Sequence, residues 1–167
     1  LMADQDPIFQ IQRIYLKELA PTDADALAEH YAQAKIPQEA RTLLREKTQG
    51  NPLYIEEVMR TLTEEFPGFA QKSPQEMQRL ISEKIPASVH GIIAARMDRL
   101  PADMKFALQT AAVVGKSFSY TLLLKLLPMT DTLDSWLAML SERGFIFERL
   151  EGGEREFVFK HSFIQEV

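Results

Sequence analysis

"FIFERLEGGEREFVFK", Phe145–Lys160, is the stretch whose reading decides the fold. Two runs rich in Phe, Ile and Val flank Glu151-Gly152-Gly153, and β-rich runs separated by a Gly-Gly pair signal a hairpin. The chain before it follows a helical period. "IPASVHGIIAARMDRLP" places Val89, Ile92, Ile93, Arg96, Met97 and Leu100 at helical spacing, and "ADMKFALQTAAVVG" reads as a very apolar helix central to a core. "SYTLLLKLLP" and "TDTLDSWLAMLSERG" give two more helices; Trp136, Leu137 and Leu140 are the expected buried residues of the second, and Gly144 ends it. "HSFIQEV", after the hairpin, begins another helix.

Four helices followed by a hairpin are the order of a winged-helix domain, expected over 83–167. Towards the N-terminus, "EEFPGFAQKSPQEMQRLISEKIP" is the least regular region, with one short helix after Ser73-Pro74, and is the expected domain junction. Before it, "TQGNPLYIEEVMRTL" (Thr48–Leu62) stops one helix and starts another at once. Gly50 is the stop, Asn51 a good N-cap, and Pro52 suits the first helical position, where its missing N–H would be unpaired anyway. Leu53, Ile55, Val58, Met59 and Leu62 form the expected buried stripe. "IPQEARTLLREKTQG" carries Pro37 in its first turn and Leu43 and Leu44 inside. "PTDADALAEHYAQA" offers Thr22 as N-cap with Asp25 three residues on, and Leu27, Tyr31 and Ala34 on one face. Together these helices make a bundle expected over 21–82. "FQIQRIYLKEL" (Phe9–Leu19) alternates apolar and polar residues and reads as one strand, which cannot satisfy its edges alone. The expected fold is mostly α: a helical bundle, then a winged-helix domain with a C-terminal β-hairpin.

The net charge of −5, with both signs interspersed, speaks against nucleic-acid binding as the main function, because phosphate neutralisation needs a concentrated basic face. The chain has no cysteine, so disulfides, thiol catalysis and thiolate metal sites are excluded. No apolar run approaches the roughly 20 residues of a membrane span, and "LMADQDPIFQ" is not a secretory signal. "FKHSFIQEV" stops inside an apolar-periodic segment without a cap, so the chain reads as a piece of a longer protein.

"VVGKSF" (Val113–Phe118) contains the Gly-Lys-Ser ending of a phosphate-binding loop, but Thr110 stands where the first glycine belongs and "LQTAAVV" reads as helix rather than strand. The match is therefore taken as false and Lys116 as a solvated loop residue. Glu56-Glu57 and Glu64-Glu65 are adjacent in helices, where neighbours point apart, so each pair is expected on a solvated face. His30, His90 and His161 have no metal-type spacing. His161 stands out because it directly follows an expected strand and opens a helix; anion contact and a capping or core role are both open to it. The helix before the hairpin presents Asp131, Asp134, Ser135, Glu142 and Arg143, and the hairpin adds Glu148, Glu151, Glu154 and Glu156. That face would repel a phosphate backbone.

"TQGNPLYIEEVMRTL", "IPASVHGIIAARMDRLP", "ALQTAAVVGKSFSYTLLLKLL" and "FVFKHSFIQEV" occur in one order. Together they resemble the lid and winged-helix parts of STAND signal-transduction NTPases, AAA+-related ATPases of large LuxR-type regulators and of proteins fused to nucleotide cyclases. The resemblance spans about Ile11 to Val167. It implies that 1–20 holds the last strand of an NTPase core, 21–82 a helical lid and 83–167 the winged helix. It further implies that Gly50, Asn51 and Pro52 lie against a bound nucleotide, the proline near the base, and that His161 reaches the β-phosphate of ADP. A simple stop and restart between two helices explains the first three residues equally. Complete Walker A and acidic Walker B motifs are lacking here; the family keeps both upstream. The expected function is the regulatory segment of a cytoplasmic ATP/ADP-switched ATPase, with ATP or ADP and Mg²⁺ bound by the intact parent and no catalysis by this segment. Its expected partners are an upstream P-loop core and a downstream output or repeat domain in the same chain, with self-association possible. A winged-helix DNA-binding regulator and a protein-interaction adaptor are the alternatives.

Overall fold

The computed structural model describes residues 13, 15–128 and 131–167. The expected strand over Phe9–Leu19 falls partly outside them; Tyr15–Leu19, which is described, forms no strand, and Tyr15 and Leu16 are exposed. An extended segment needs a neighbour to accept its hydrogen bonds. Here Leu19 finds a turn instead, donating its N–H to the Gly50 carbonyl at 2.9 Å.

Four helices come first: α1 (Pro21–Ala32), α2 (Gln38–Thr48), α3 (Pro52–Glu65) and α4 (Pro74–Lys84). Thr22 is not the N-cap of α1. The helix starts at Pro21 after Ala20, which has no capping side chain, and Asp25 faces Arg41 and Arg45 at 3.2 and 3.5 Å. Proline's fixed φ opens this helix without a cap. Pro37 sits just outside α2, and α2 closes on Gln49 in the left-handed region, one residue before Gly50. Ser73 caps α4 through the Glu76 N–H at 3.3 Å. The expected irregular region is shorter than it reads, a single 3-10 turn at Phe69–Gln71 whose Phe69 is buried.

The remaining elements are α5 (Val89–Asp98), α6 (Ala102–Val114), β1 (Ser117–Ser119), α7 (Tyr120–Leu126), α8 (Leu133–Glu142), β2 (Ile146–Glu151), β3 (Glu154–Phe159) and α9 (Ser162–Glu166). The hairpin forms with Ile146 opposite Phe159 and Glu151 opposite Glu154. Gly152 and Gly153 make its two-residue turn at φ 60° and 85°, the left-handed pair that a tight hairpin turn requires. β1 was not legible as a strand; it pairs antiparallel with β3, Phe118 opposite Phe157, giving the sheet order β1-β3-β2. Its burial comes from one residue, Phe118, which stacks on Phe157. Period-2 alternation cannot be read from three residues.

The described chain is thus mostly helical with a small three-stranded antiparallel sheet near its C-terminus. α6 buries Met104, Ala107, Leu108 and Ala111 but exposes Phe106 and Val113, so only one of its faces is core. The helical context of "LQTAAVV" holds, and Lys116 is an exposed residue after it. Buried apolar side chains form one cluster from Ala24 to Ile164, joining the first four helices to the sheet region. No helix among the described residues is long and apolar enough to cross a membrane.

Candidate functional site

The turn between α2 and α3 is built from backbone requirements. Gly50 has φ +71°, and a Cβ there would stand 2.8 Å from the Leu19 carbonyl oxygen, so both conformation and space demand glycine. Asn51 accepts from the Tyr54 N–H at 3.1 Å through its side chain, which is the N-cap read from the sequence. Pro52 follows at the first position of α3, and both Asn51 and Pro52 are exposed. A cleft of about 340 Å³ opens beside this turn, lined by Glu18, Asn51, Tyr54, Ser88 and their neighbours; neither Pro52 nor His161 lines it.

α3 is the seam of the molecule. The expected solvated face of Glu56-Glu57 does not exist. Glu57 is 0% exposed and Arg96 of α5 is 5% exposed, and the two form a buried ion pair. The second Arg96 nitrogen donates to the Arg143 carbonyl at 2.6 Å, and its guanidinium stacks 4.8 Å from the Phe145 ring centroid. The buried Tyr54 hydroxyl donates to the Pro86 carbonyl, and burial raises its pKa. Glu64 and Glu65 are exposed, as expected, and Glu65 pairs with Arg99 at 2.5 Å. Adjacent residues of a helix do point apart. Here α3 packs against α1, α2 and α5, and the two directions of Glu56 and Glu57 meet two different partners.

Glu56 points along the other flank of α3. Residues four apart share a helix face, so Pro52, Glu56 and Arg60 form one stripe. The Glu56 side chain, 13% exposed, pairs with Lys160 and accepts from Arg60 at 3.3 Å, with the Tyr31 hydroxyl of α1 nearby. Burial pushes its pKa up, but the Lys160 hydrogen bond and charge, helped by Tyr31 and Arg60, outweigh this and hold the carboxyl below its ordinary value. Tyr31 moves the other way, raised by burial and by the neighbouring Glu56 charge.

His161 comes to the same place. Its side chain is 30% exposed; its Nε2 is buried, makes no hydrogen bond and lies 4.0 Å from Glu56 Oε2. It does not cap α9 with its side chain. His161 therefore meets α3 at Glu56, which stands one turn from Pro52 on the same side of that helix. Sequence reasoning missed Tyr31, Glu56, Arg60 and Lys160. The four-residue spacing of Pro52, Glu56 and Arg60 was available in the sequence, but nothing local says which helix face meets the segment after β3. Chemically the flank offers two permanent cations, an imidazole and a phenol around one carboxylate, a set suited to holding an anion rather than transforming it. No protein family matches this chain, and no curated protein matches it.

Proposed function

We propose that this chain is the lid and winged-helix segment of a STAND-type signalling ATPase, coupling ATP or ADP in a neighbouring P-loop core to an output domain. The observation that carries the reading is the shared flank of α3: Pro52 stands one turn from Glu56, and His161 Nε2 lies 4.0 Å from that carboxylate. The resemblance assigns these two residues to the base and the phosphate of one nucleotide. The residues fit such a group in kind: an exposed proline ring at one end, cations and an unpartnered imidazole nitrogen at the other. Gly50 and Asn51 shape the turn that presents the proline.

The order α6-β1-α7-α8-β2-β3, with β1 added to β3, supports a winged helix. Arg155 ties Asp134 of α8 to Glu148 of β2 at 2.5 Å each, so the helix and hairpin that would meet DNA carry acidic groups, and a cation of that face is engaged with them. That arrangement favours a regulatory winged helix over a DNA reader. Such a switch needs two states that the nucleotide contacts differently.

The test is an extended protein with the upstream sequence that should hold the P-loop. It is expected to copurify with ADP, and His161→Ala and Pro52→Ala are each expected to weaken ADP retention. Undiminished retention in both variants would remove this flank from nucleotide binding.

A further inference from the structure

We infer that Glu56 is a built-in competitor for the anion site of its own chain: its carboxylate occupies the position between Lys160, Arg60, Tyr31 and His161 that a phosphate group would take. The inference deepens the nucleotide-switch reading and rests on it for the identity of the anion. Lys160 and Arg60 donate to one carboxylate, with the Tyr31 phenol and the His161 imidazole beside it. Arg60 lies one turn along the same helix, Tyr31 comes from α1, and Lys160 and His161 come from the segment after β3. Lys160 and Arg60 face Glu56 and, through Arg60 at 3.8 Å, Glu64, so the cluster is balanced while Glu56 is in place and becomes positive only when Glu56 leaves it. His161 Nε2 is buried without a hydrogen bond, which is costly for a polar atom unless another partner completes it.

A phosphate group offers more acceptor oxygens than a carboxylate and would satisfy Lys160, Tyr31 and His161 together. Glu56 cannot stay in place beside it, because two anions sharing one cradle repel. Glu56 and the phosphate therefore exclude each other. Since Glu56 stands on α3 and Lys160 and His161 belong to the sheet region, displacing it also replaces the contact that ties these two parts together. Glu56 thereby sets a threshold: the anion must outbid an internal carboxylate before it can bridge α3 and the segment after β3.

The probe is inorganic pyrophosphate, titrated into the 167-residue chain by NMR with the His161 imidazole and Glu56 side-chain carboxyl resonances as readouts. Wild type should bind weakly. Glu56→Gln, which keeps shape and removes charge, should bind about tenfold tighter, the scale of one close charge coupling. Adding Lys160→Met to that variant should abolish the gain. A merely structural Glu56 predicts the opposite sign, looser binding from a loosened site, and equal or weaker binding by Glu56→Gln overturns the inference. Should that variant fail to fold, wild type still decides: pyrophosphate must shift the Glu56 and His161 resonances together, and a titration to tens of millimolar that moves neither overturns it. ADP titrated in parallel separates the two readings. A gain for pyrophosphate with no further affinity for ADP supports the competing carboxylate and counts against base recognition near Pro52.

Discussion

Replacing Arg96 with methionine should cost this protein a large part of its stability. The substitution keeps an apolar stem of similar reach but removes the only side chain that ion-pairs with Glu57 among the described residues, leaving a 0% exposed carboxylate without its cation. Breaking a buried pair from one side typically costs about 3–5 kcal/mol, since the remaining charge loses its compensation. The Arg143 carbonyl also loses its 2.6 Å donor, and Phe145 loses a stacked guanidinium. Against a total stability of roughly 5–15 kcal/mol, that is about a fifth or more. For a chain of this size each kcal/mol corresponds to roughly 2–4 °C, so the melting temperature should fall by about 6–20 °C. Removing both charges in Glu57→Leu/Arg96→Met should recover most of the loss, because well-packed apolar side chains often replace a buried pair at little cost. Urea denaturation of wild type, the single variant and the double variant measures all three. If Arg96→Met lies within 1 kcal/mol of wild type, or if the double variant is as unstable as the single, the account of α3 as a charged seam is refuted.

Three further outcomes follow from the same geometry. Gly50→Ala should lose about 1–3 kcal/mol in urea, since it forces a Cβ into the left-handed region and to 2.8 Å from the Leu19 carbonyl oxygen. Asn51→Ala should lose about 1 kcal/mol through the missing cap while Asn51→Asp stays close to wild type, readable by thermal melting. Glu56 has a folded pKa below its unfolded one, so its contribution is fully present above the ordinary glutamate range and is lost as pH falls through the lowered value. The stability gap between wild type and Glu56→Gln should accordingly be largest near neutral pH and narrow on acidification; a gap independent of pH would contradict the Lys160 pairing.

Much of the secondary structure was legible because its signals are local. Asn51-Pro52 and Ser73-Pro74 start helices through a cap and a fixed φ, and Gly152-Gly153 turns a hairpin through two left-handed residues; each device works within four residues of chain. The misses were of two kinds. β1 is too short for its alternation to show, and it exists because β3 offers a free edge. Phe9–Leu19 alternates as a strand should, yet Tyr15–Leu19 has no strand beside it among the described residues.

The candidate site divides in the same way. Gly50, Asn51, Pro52 and His161 could be picked out one by one, from turn chemistry and from position in the chain. That Glu56 and Glu57 would both leave solvent, one towards Lys160 and His161 and the other towards Arg96, could not. The sequence by itself determined where helices begin and end and where the hairpin turns, because caps, prolines and glycines act on their own backbone. Only the tertiary structure decided which charges meet, because Glu56–Lys160 joins residues 104 positions apart and Glu57–Arg96 joins residues 39 apart. Such pairings depend on how α3 is rotated in its packing, and no local rule fixes that rotation.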